Sequence, residues 1–321
     1  MLGKTVGVID LGTNTALMLI GRKKANGKIQ VLTDEHAVVG LGQGVDSTGK
    51  LNIDAIDRAC KQLEIYAKKA NNWDVMHLTA WGTSALRDAT NKEDLINRVY
   101  QTSGITLRVM SATDEAEYTY WGAIDGLAKT KNISVIDIGG GSTEVATGTK
   151  QKLLTKKSVN IGALRLSERY SLNKKNNKTK INDTYSDIID EISCLSLHDK
   201  NTQLIAVSGT ALTIAAIESG KTQILHPVLH GRYIKTSFVR HCYEQYAHKT
   251  SDQLSKIPAI GPNRSKIISA GILILYAFLT KNDVDGFTAS ARGVRYGVLN
   301  NLISSAETGP SLYDRQLLLC E

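Results

Sequence analysis

Val135-Ile136-Asp137-Ile138-Gly139-Gly140-Gly141-Ser142-Thr143-Glu144 is an apolar strand that runs into an acid, three successive glycines, two hydroxyl residues and a second acid. A turn of this composition exposes consecutive backbone N–H groups and lets the chain approach a polyanion closely. The same phrase occurs 127 residues earlier, as Val8-Ile9-Asp10-Leu11-Gly12-Thr13-Asn14-Thr15. Either turn alone reads as an ordinary hairpin. Two matched copies, each opening a set of apolar strands, predict a duplicated unit whose turns share one task.

Reading outward from the copies gives the rest of each unit. Thr15–Lys23 and Lys28–Val39 are predicted as strands around an Asn26-Gly27 turn, and Ser142–Gly148 and Lys152–Ile161 repeat the arrangement. Apolar residues at helical spacing predict a helix over Leu51–Ala70. Met76–Ala80 is predicted as a strand, Asn91–Ser103 as a capped helix ending at Gly104, and Ile105–Met110 as a strand. The second half is predicted to follow with a helix over Asp183–Leu197, a strand over Leu204–Val207 and a helix over Thr210–Ser219. A strand over Phe287–Ser290 and a helix over Val294–Ile303 close the chain, while Asn173–Lys180 reads as a polar loop. The fold class expected is α/β, two copies of one unit with a cleft between them. The boundary is set near residue 125, giving units of 1–125 and 126–321, with the closing helix near 292–304 packing back on the first. Ligands in such folds sit at the carboxyl ends of strands, where both Asp-x-Gly turns fall.

Composition bounds the function. At 321 residues the chain suits two domains, and 42% apolar with 22% charged residues is ordinary for a water-soluble protein. The net charge of +8 is concentrated: residues 151–180 hold nine Lys/Arg against Glu168 alone. Such a cluster can attract a polyanion, or it can be a solvated lysine-rich face. Four scattered cysteines, Cys60, Cys194, Cys242 and Cys320, have no CxxC spacing and suit a reducing cytoplasm. The N-terminus shows no charged-then-apolar leader, and the longest apolar run, Ile267–Leu279, is shorter than the roughly 20 residues of a membrane span. That run is expected as a buried helix, and a cytoplasmic, non-membrane protein is expected. No helix-turn-helix, zinc module or aromatic RNA-reading motif is present, so no nucleic-acid partner is expected. Seven histidines show no HExxH or comparable array, and His36, His77 and His198 read as isolated surface or core residues.

The motifs in order resemble the exopolyphosphatase/guanosine pentaphosphate phosphohydrolase family, in its short two-domain form. Asp10-Leu-Gly-Thr-Asn-Thr-Ala-Leu-Met-Leu is similar to the first phosphate loop of that family, and Asp137–Glu144 matches the second. Between and beyond them, Leu41-Gly-Gln-Gly-Val with Gly49-Lys-Leu, Ala80–Asn91, Asp114-Glu-Ala-Glu, Asn160–Leu166, Val207-Ser-Gly-Thr-Ala and Ser290–Val298 continue the likeness along nearly the whole chain. Gly40 stands where the family carries an arginine, and Gln43 where it carries a glutamate.

The resemblance implies duplicated actin-like domains, of the ribonuclease H-like superfamily that holds sugar kinases, heat-shock proteins and actin. It implies release of terminal orthophosphate from inorganic polyphosphate or guanosine pentaphosphate with Mg²⁺. Glu115 falls on the catalytic base, expected in the first turn of a helix whose N-terminus keeps it ionised. Arg87 suits the clamp on transition-state charge, against a surface salt bridge to Asp88 or Asp94. Thr13, Asn14, Thr15, Gly139, Gly140, Gly141, Ser142, Thr143, Gly209 and Thr210 are the expected phosphate contacts. Asp10, Asp137 and Glu144 are the expected metal carboxylates. A homodimer is implied only by the likeness. A kinase of the same fold, and a non-catalytic sensor of polyphosphate or guanosine polyphosphates, stay open.

Overall fold

The computed structural model describes residues 4–26, 28–174, 178–197, 201–224 and 226–308. The expectations placed on Gly27, Lys175, His198 and Cys320 fall outside these residues.

Two sheets carry the fold. The first contains β1 (Thr5–Leu11), β2 (Thr15–Lys23), β3 (Ile29–Val38), β4 (His77–Gly82) and β5 (Leu107–Val109), in the order β3-β2-β1-β4-β5. The second contains β6 (Ile133–Ile138), β7 (Thr143–Gly148), β8 (Leu153–Val159), β9 (Gln203–Val207), β10 (Tyr233–Lys235) and β11 (Gly286–Ala289). Its order is β10-β11-β9-β6-β7-β8. In both, an antiparallel triplet is extended by strands parallel to its first member. β1 pairs antiparallel with β2 and parallel with β4; β6 does the same with β7 and β9. Asp10 lies opposite Leu17 and Asp137 opposite Glu144, so the two acids hold the same register position next to the end of their strands. This is the duplicated actin-like arrangement.

Helices α1 (Val45–Thr48), α2 (Ile53–Asn72), α3 (Ser84–Asp88), α4 (Lys92–Ser103) and α5 (Ala112–Ile124) occur along the first half. The second half carries α6 (Ala163–Arg169), α7 (Lys178–Glu191), α8 (Gly209–Glu218), α9 (His226–Leu229), α10 (Thr236–Tyr246), α11 (Ser251–Ser255), α12 (Gly261–Arg264), α13 (Ile268–Lys281) and α14 (Val294–Thr308). Lys178–Lys180, expected in a loop, opens α7, so the helix starts and stops earlier than the spacing suggested. Asn91 precedes α4 without capping it. Its side chain instead accepts from Leu51 N at 2.8 Å and donates to Leu51 O, tying the loop before α2 to α4.

β1 is apolar almost throughout because both its faces are covered. Ile9 and Leu11 enter a core with Ile56 and Leu63 of α2 and Leu95 and Val99 of α4. Val6 and Val8 face Val294, Val298 and Leu299 of α14. Helix α14 therefore covers the first sheet. The converse exchange was not legible: α5 buries Ala116, Tyr120, Ala123 and Ile124 against Val135, Ala146 and Ile205 of the second sheet. Glu115 is thus delivered by a helix seated on the second sheet, although a boundary near 125 assigned it to the first unit. The two exchanged helices cross where glycines permit it. A Cβ at Gly297 would lie 1.9 Å from Tyr118 O, and one at Gly122 2.3 Å from Gly293 O.

Candidate active site

The turns that follow β1 and β6 are built alike. Gly12 N donates to Thr15 O at 2.8 Å, and Gly139 N donates to Ser142 O at 2.9 Å. Their carbonyls are engaged on the outer side. Gly42 N donates to Thr13 O, Val39 N and Gly40 N to Asn14 O, Ala163 N to Gly139 O, and Leu164 N and Arg165 N to Gly140 O. Among the described residues, nothing accepts from the amides of Thr13, Asn14, Gly140 or Gly141. Both loops thus keep donors for an anion while their acceptors are used up. They also meet. A Cβ at Gly140 would lie 2.9 Å from Thr13 Cβ, and one at Gly141 2.5 Å from Ser84 Oγ. Only glycine lets the second loop come so near the first.

A cleft between the units is lined by Asp10, Thr13, Asn14, Thr15, Glu115, Asp137, Gly139–Ser142, Gly209 and Thr210, among others. Asp10 and Asp137 both line it, from equivalent strand ends. Burial pushes each carboxyl up to about 7, and the charge of Glu115 adds to it. Asp10 Oδ1 is buried and accepts no hydrogen bond among the described residues. Such an oxygen costs free energy unless something cationic or a donor meets it.

Glu115 sits in the first turn of α5, behind Ser111, whose hydroxyl accepts from Asp114 N as the helix cap. Its environment differs from the expectation. Burial raises its carboxyl, and Arg87 and the Thr83 hydroxyl oppose that rise. Arg87, on α3, donates from Nη1 to Glu115 Oε2 at 2.6 Å and to Met110 O at 3.0 Å. Its Nη2 donates to Ser142 Oγ at 3.4 Å and stands 4.0 Å from Glu144 Oε1. The surface pairing weighed for Arg87 is not made, because Asp88 is taken by Arg165.

Two expected contacts are placed elsewhere. Thr143 is fully buried and its hydroxyl donates to Ile161 O at 2.7 Å, because as the first residue of β7 it points into the β7–β8 hairpin. Glu144 is 2% exposed, accepts from Ser158 Oγ at 2.7 Å and does not line the cleft. Burial raises its carboxyl well above the usual range, helped by Glu115 and Asp137. Asp10, Asp137 and Glu144 do not assemble a three-ligand set: among the described residues, the one such set with ligand atoms within 4.8 Å of one another is Asp34, His36 and His226. Gly209 and Thr210 line the cleft, yet a Cβ at Gly271 would lie 2.2 Å from Thr210 Oγ1, so that hydroxyl faces α13. Gly40 takes a left-handed conformation (φ 58°), and the nearby Gln43 accepts from Arg58 Nη2.

Two further residues at the cleft, Ser208 within the Val207–Ala211 motif and Arg264 outside any motif, are not among the expected site residues. Ser208 precedes α8 at φ 101°, a conformation that costs a non-glycine residue on the order of 1–3 kcal/mol. Its Oγ is buried without a partner among the described residues. Arg264 lies over Gly209, where a Cβ would stand 1.5 Å from its Nη1. It lines the cleft, has no ion pair among the described residues, and burial lowers its pKa to about 10. Three cations of the basic 151–180 segment are held in ion pairs. Arg165 pairs with Asp46 and Asp88, Arg169 with Asp46 and Glu191, and Lys156 with Glu117. Arg165 Nε also donates to Gly141 O at 2.7 Å, so this cross-unit bridge braces the second loop.

The Ppx/GppA phosphatase family profile matches residues 19–306. The chain is 29% identical over 285 residues to a bifunctional 3-dehydroquinate synthase/phosphatase of Fusobacterium nucleatum, covering 84% of this chain and 42% of that protein. It is 29% identical over 301 residues to a guanosine-5'-triphosphate,3'-diphosphate pyrophosphatase of Pseudoalteromonas translucida, covering 92% and 59%. The chain thus spans less than two thirds of each of these relatives. The crystal structure of an exopolyphosphatase from Cytophaga hutchinsonii superposes with a TM-score of 0.87 at 27% identity, covering 96% of this chain and all of that one. Among the described residues, no helix is long and apolar enough to cross a membrane.

Proposed function

The chain belongs to the Ppx/GppA phosphatase family, and on that footing we propose that it releases terminal orthophosphate from inorganic polyphosphate or guanosine pentaphosphate. The observation that carries this reading is the pair of abutting loops whose amides are free while Glu115 and Arg87 stand beside them. Thr13, Asn14, Gly140 and Gly141 would take phosphate oxygens through their N–H groups. Thr15, Ser142 and the Ser208–Thr210 turn would take others, with Arg264 supplying a cation. Arg87 meets the charge that develops on the transferred group. Glu115 accepts a proton from the attacking water, and Arg87 keeps enough of it ionised to do so.

The carboxylates fit a hydrated divalent cation. Asp10 has an unsatisfied buried oxygen, and burial, with the Glu115 charge added, raises the proton affinity of both Asp10 and Asp137 in the way a bound cation would reverse. Asp10 and Asp137 would hold Mg²⁺, with water completing its shell, and Glu144 would act behind them through Arg87 and Ser158. When bound, the ion neutralises phosphate charge. Phosphate release measured on short polyphosphate, guanosine pentaphosphate and ATP, with and without Mg²⁺, tests the reading. Mg²⁺-dependent release from either of the first two, exceeding that from ATP, is expected; consumption of ATP alone, or tight binding without release, would overturn it.

A pH effect follows. Asp10 and Asp137 have folded-state values near 7 against 3.8 ordinarily, so between those values the folded protein holds protons that the unfolded chain has lost. Stability then falls as pH rises through that window. Raised Glu115 and Glu144 act in the same sense, and lowered His36 and His230 in the opposite one. The metal-free protein is expected to melt at a lower temperature at pH 8 than at pH 5.5, with Mg²⁺ restoring stability at pH 8 more than at pH 5.5. Equal Mg²⁺ effects at both pH values would contradict this.

A further inference from the structure

Asp34 and His36 stand on β3, and His226 begins α9, so the three come from the two units. His36 Nε2 is 3.2 Å from Asp34 Oδ1, and His226 Nδ1 is 3.8 Å from Asp34 Oδ2. The imidazole rings meet edge to face, with centroids 4.4 Å apart. Neighbouring ligands of a tetrahedral zinc ion are about 3.3 Å apart, so small adjustments would centre one ion among these atoms. The carboxylate is already aimed: Arg295 Nη1 donates to Oδ1 at 2.7 Å and Tyr296 OH to Oδ2 at 2.9 Å. Each oxygen keeps a second lone pair, and such outer partners commonly fix the ligands of metal sites. Both histidines line the cleft, which gives solvent and a fourth ligand access.

We propose that Asp34, His36 and His226 form a transition-metal site, distinct from the Asp10–Asp137 pair, in which a Zn²⁺-class ion ties the two units together across the cleft. Two imidazoles and one carboxylate suit zinc or cobalt, whereas Mg²⁺ prefers an octahedron of oxygens. The Arg295 charge weakens cation binding, so an affinity in the micromolar range fits a regulatory ion better than a permanent one. Because the ligands bridge β3 and α9 beside the substrate space, an ion held there would act as a brake on turnover.

Cobalt titration of the whole protein in excess Mg²⁺ tests the site. A visible band of tetrahedral intensity is expected to saturate at one equivalent and to be displaced by Zn²⁺. His36→Ala and His226→Ala should each weaken cobalt binding by about tenfold or more, with unchanged melting of the metal-free proteins confirming their fold. His226→Cys should keep the ion and add a thiolate-to-cobalt band in the near ultraviolet. Asp10→Asn should leave the visible band intact. No band, a band indifferent to both histidine changes, or one abolished by Asp10→Asn would overturn the site. The brake rests on the hydrolase reading, whereas the cobalt band does not. Zn²⁺ is expected to inhibit phosphate release at saturating Mg²⁺, about tenfold less potently in His226→Ala; equal inhibition of both proteins would overturn the brake.

Discussion

Glu115→Gln is expected to lower phosphate release by about 10²- to 10⁴-fold while leaving substrate binding in place. Gln keeps the size of the side chain and can still accept from Arg87 Nη1, which now bonds Glu115 Oε2 at 2.6 Å. What disappears is the ability to take a proton. The substitution also removes the charge that raises Asp10 and Asp137, so both carboxyls should ionise at lower pH. The metal-free variant should therefore lose less stability between pH 5.5 and pH 8 than the parent. Calorimetric binding of polyphosphate beside turnover measurement checks the result. Turnover within about threefold of the parent would remove Glu115 from the role of base.

Arg87→Ala is expected to damage both activity and stability. The guanidinium is 18% exposed and serves Glu115, Met110 O and Ser142 at once, with Glu144 at 4.0 Å. Removing one partner of a buried pair costs about 3–5 kcal/mol when the other stays charged. Here the bereaved carboxylates can take up protons, because Glu115 and Glu144 are already raised by burial. The loss of stability should therefore be larger at pH 8 than at pH 5.5. Turnover should fall by about 10²- to 10³-fold, the magnitude typical of losing a group that meets developing charge. Arg87→Lys restores a point charge without the fork, so it should recover stability more than turnover. Denaturant titration at the two pH values with parallel kinetics checks this. A cost independent of pH would show that Arg87 does not compensate the acid cluster.

The duplication was legible because it is written in local chemistry. Two apolar strands that each end in Asp-x-Gly and open a set of strands read as copies of one unit, and the same register of Asp10 and Asp137 follows from the same strand-and-turn pattern. The α14 return to the first sheet was also within reach, since Val294, Val298 and Leu299 repeat at helical spacing. The exchange of α5 was not, because chain order puts it directly after β5 while packing puts it on β6, β7 and β9. Thr143 and Glu144 show the limit of motif reading. Alternation along β7 turns the first into its own hairpin, and Ser158 of the neighbouring strand captures the second. Arg264 and His226 lie outside the motifs, and their place at the cleft depends on how α9 packs on α8 and on the approach of Arg264 to Gly209. His36 read as isolated because its partner His226 is distant in sequence, and only the tertiary fold brings their rings together.

The central claim is that water, activated at Glu115, attacks a terminal phosphate held between the two loops. Hydrolysis in ¹⁸O-labelled water, run with Mg²⁺ on short polyphosphate and on guanosine pentaphosphate, reads it directly. One labelled oxygen per released orthophosphate is expected from the parent protein, with no comparable release from Glu115→Gln. Orthophosphate carrying no label, or phosphate appearing on another acceptor at an undiminished rate in that variant, would contradict the account.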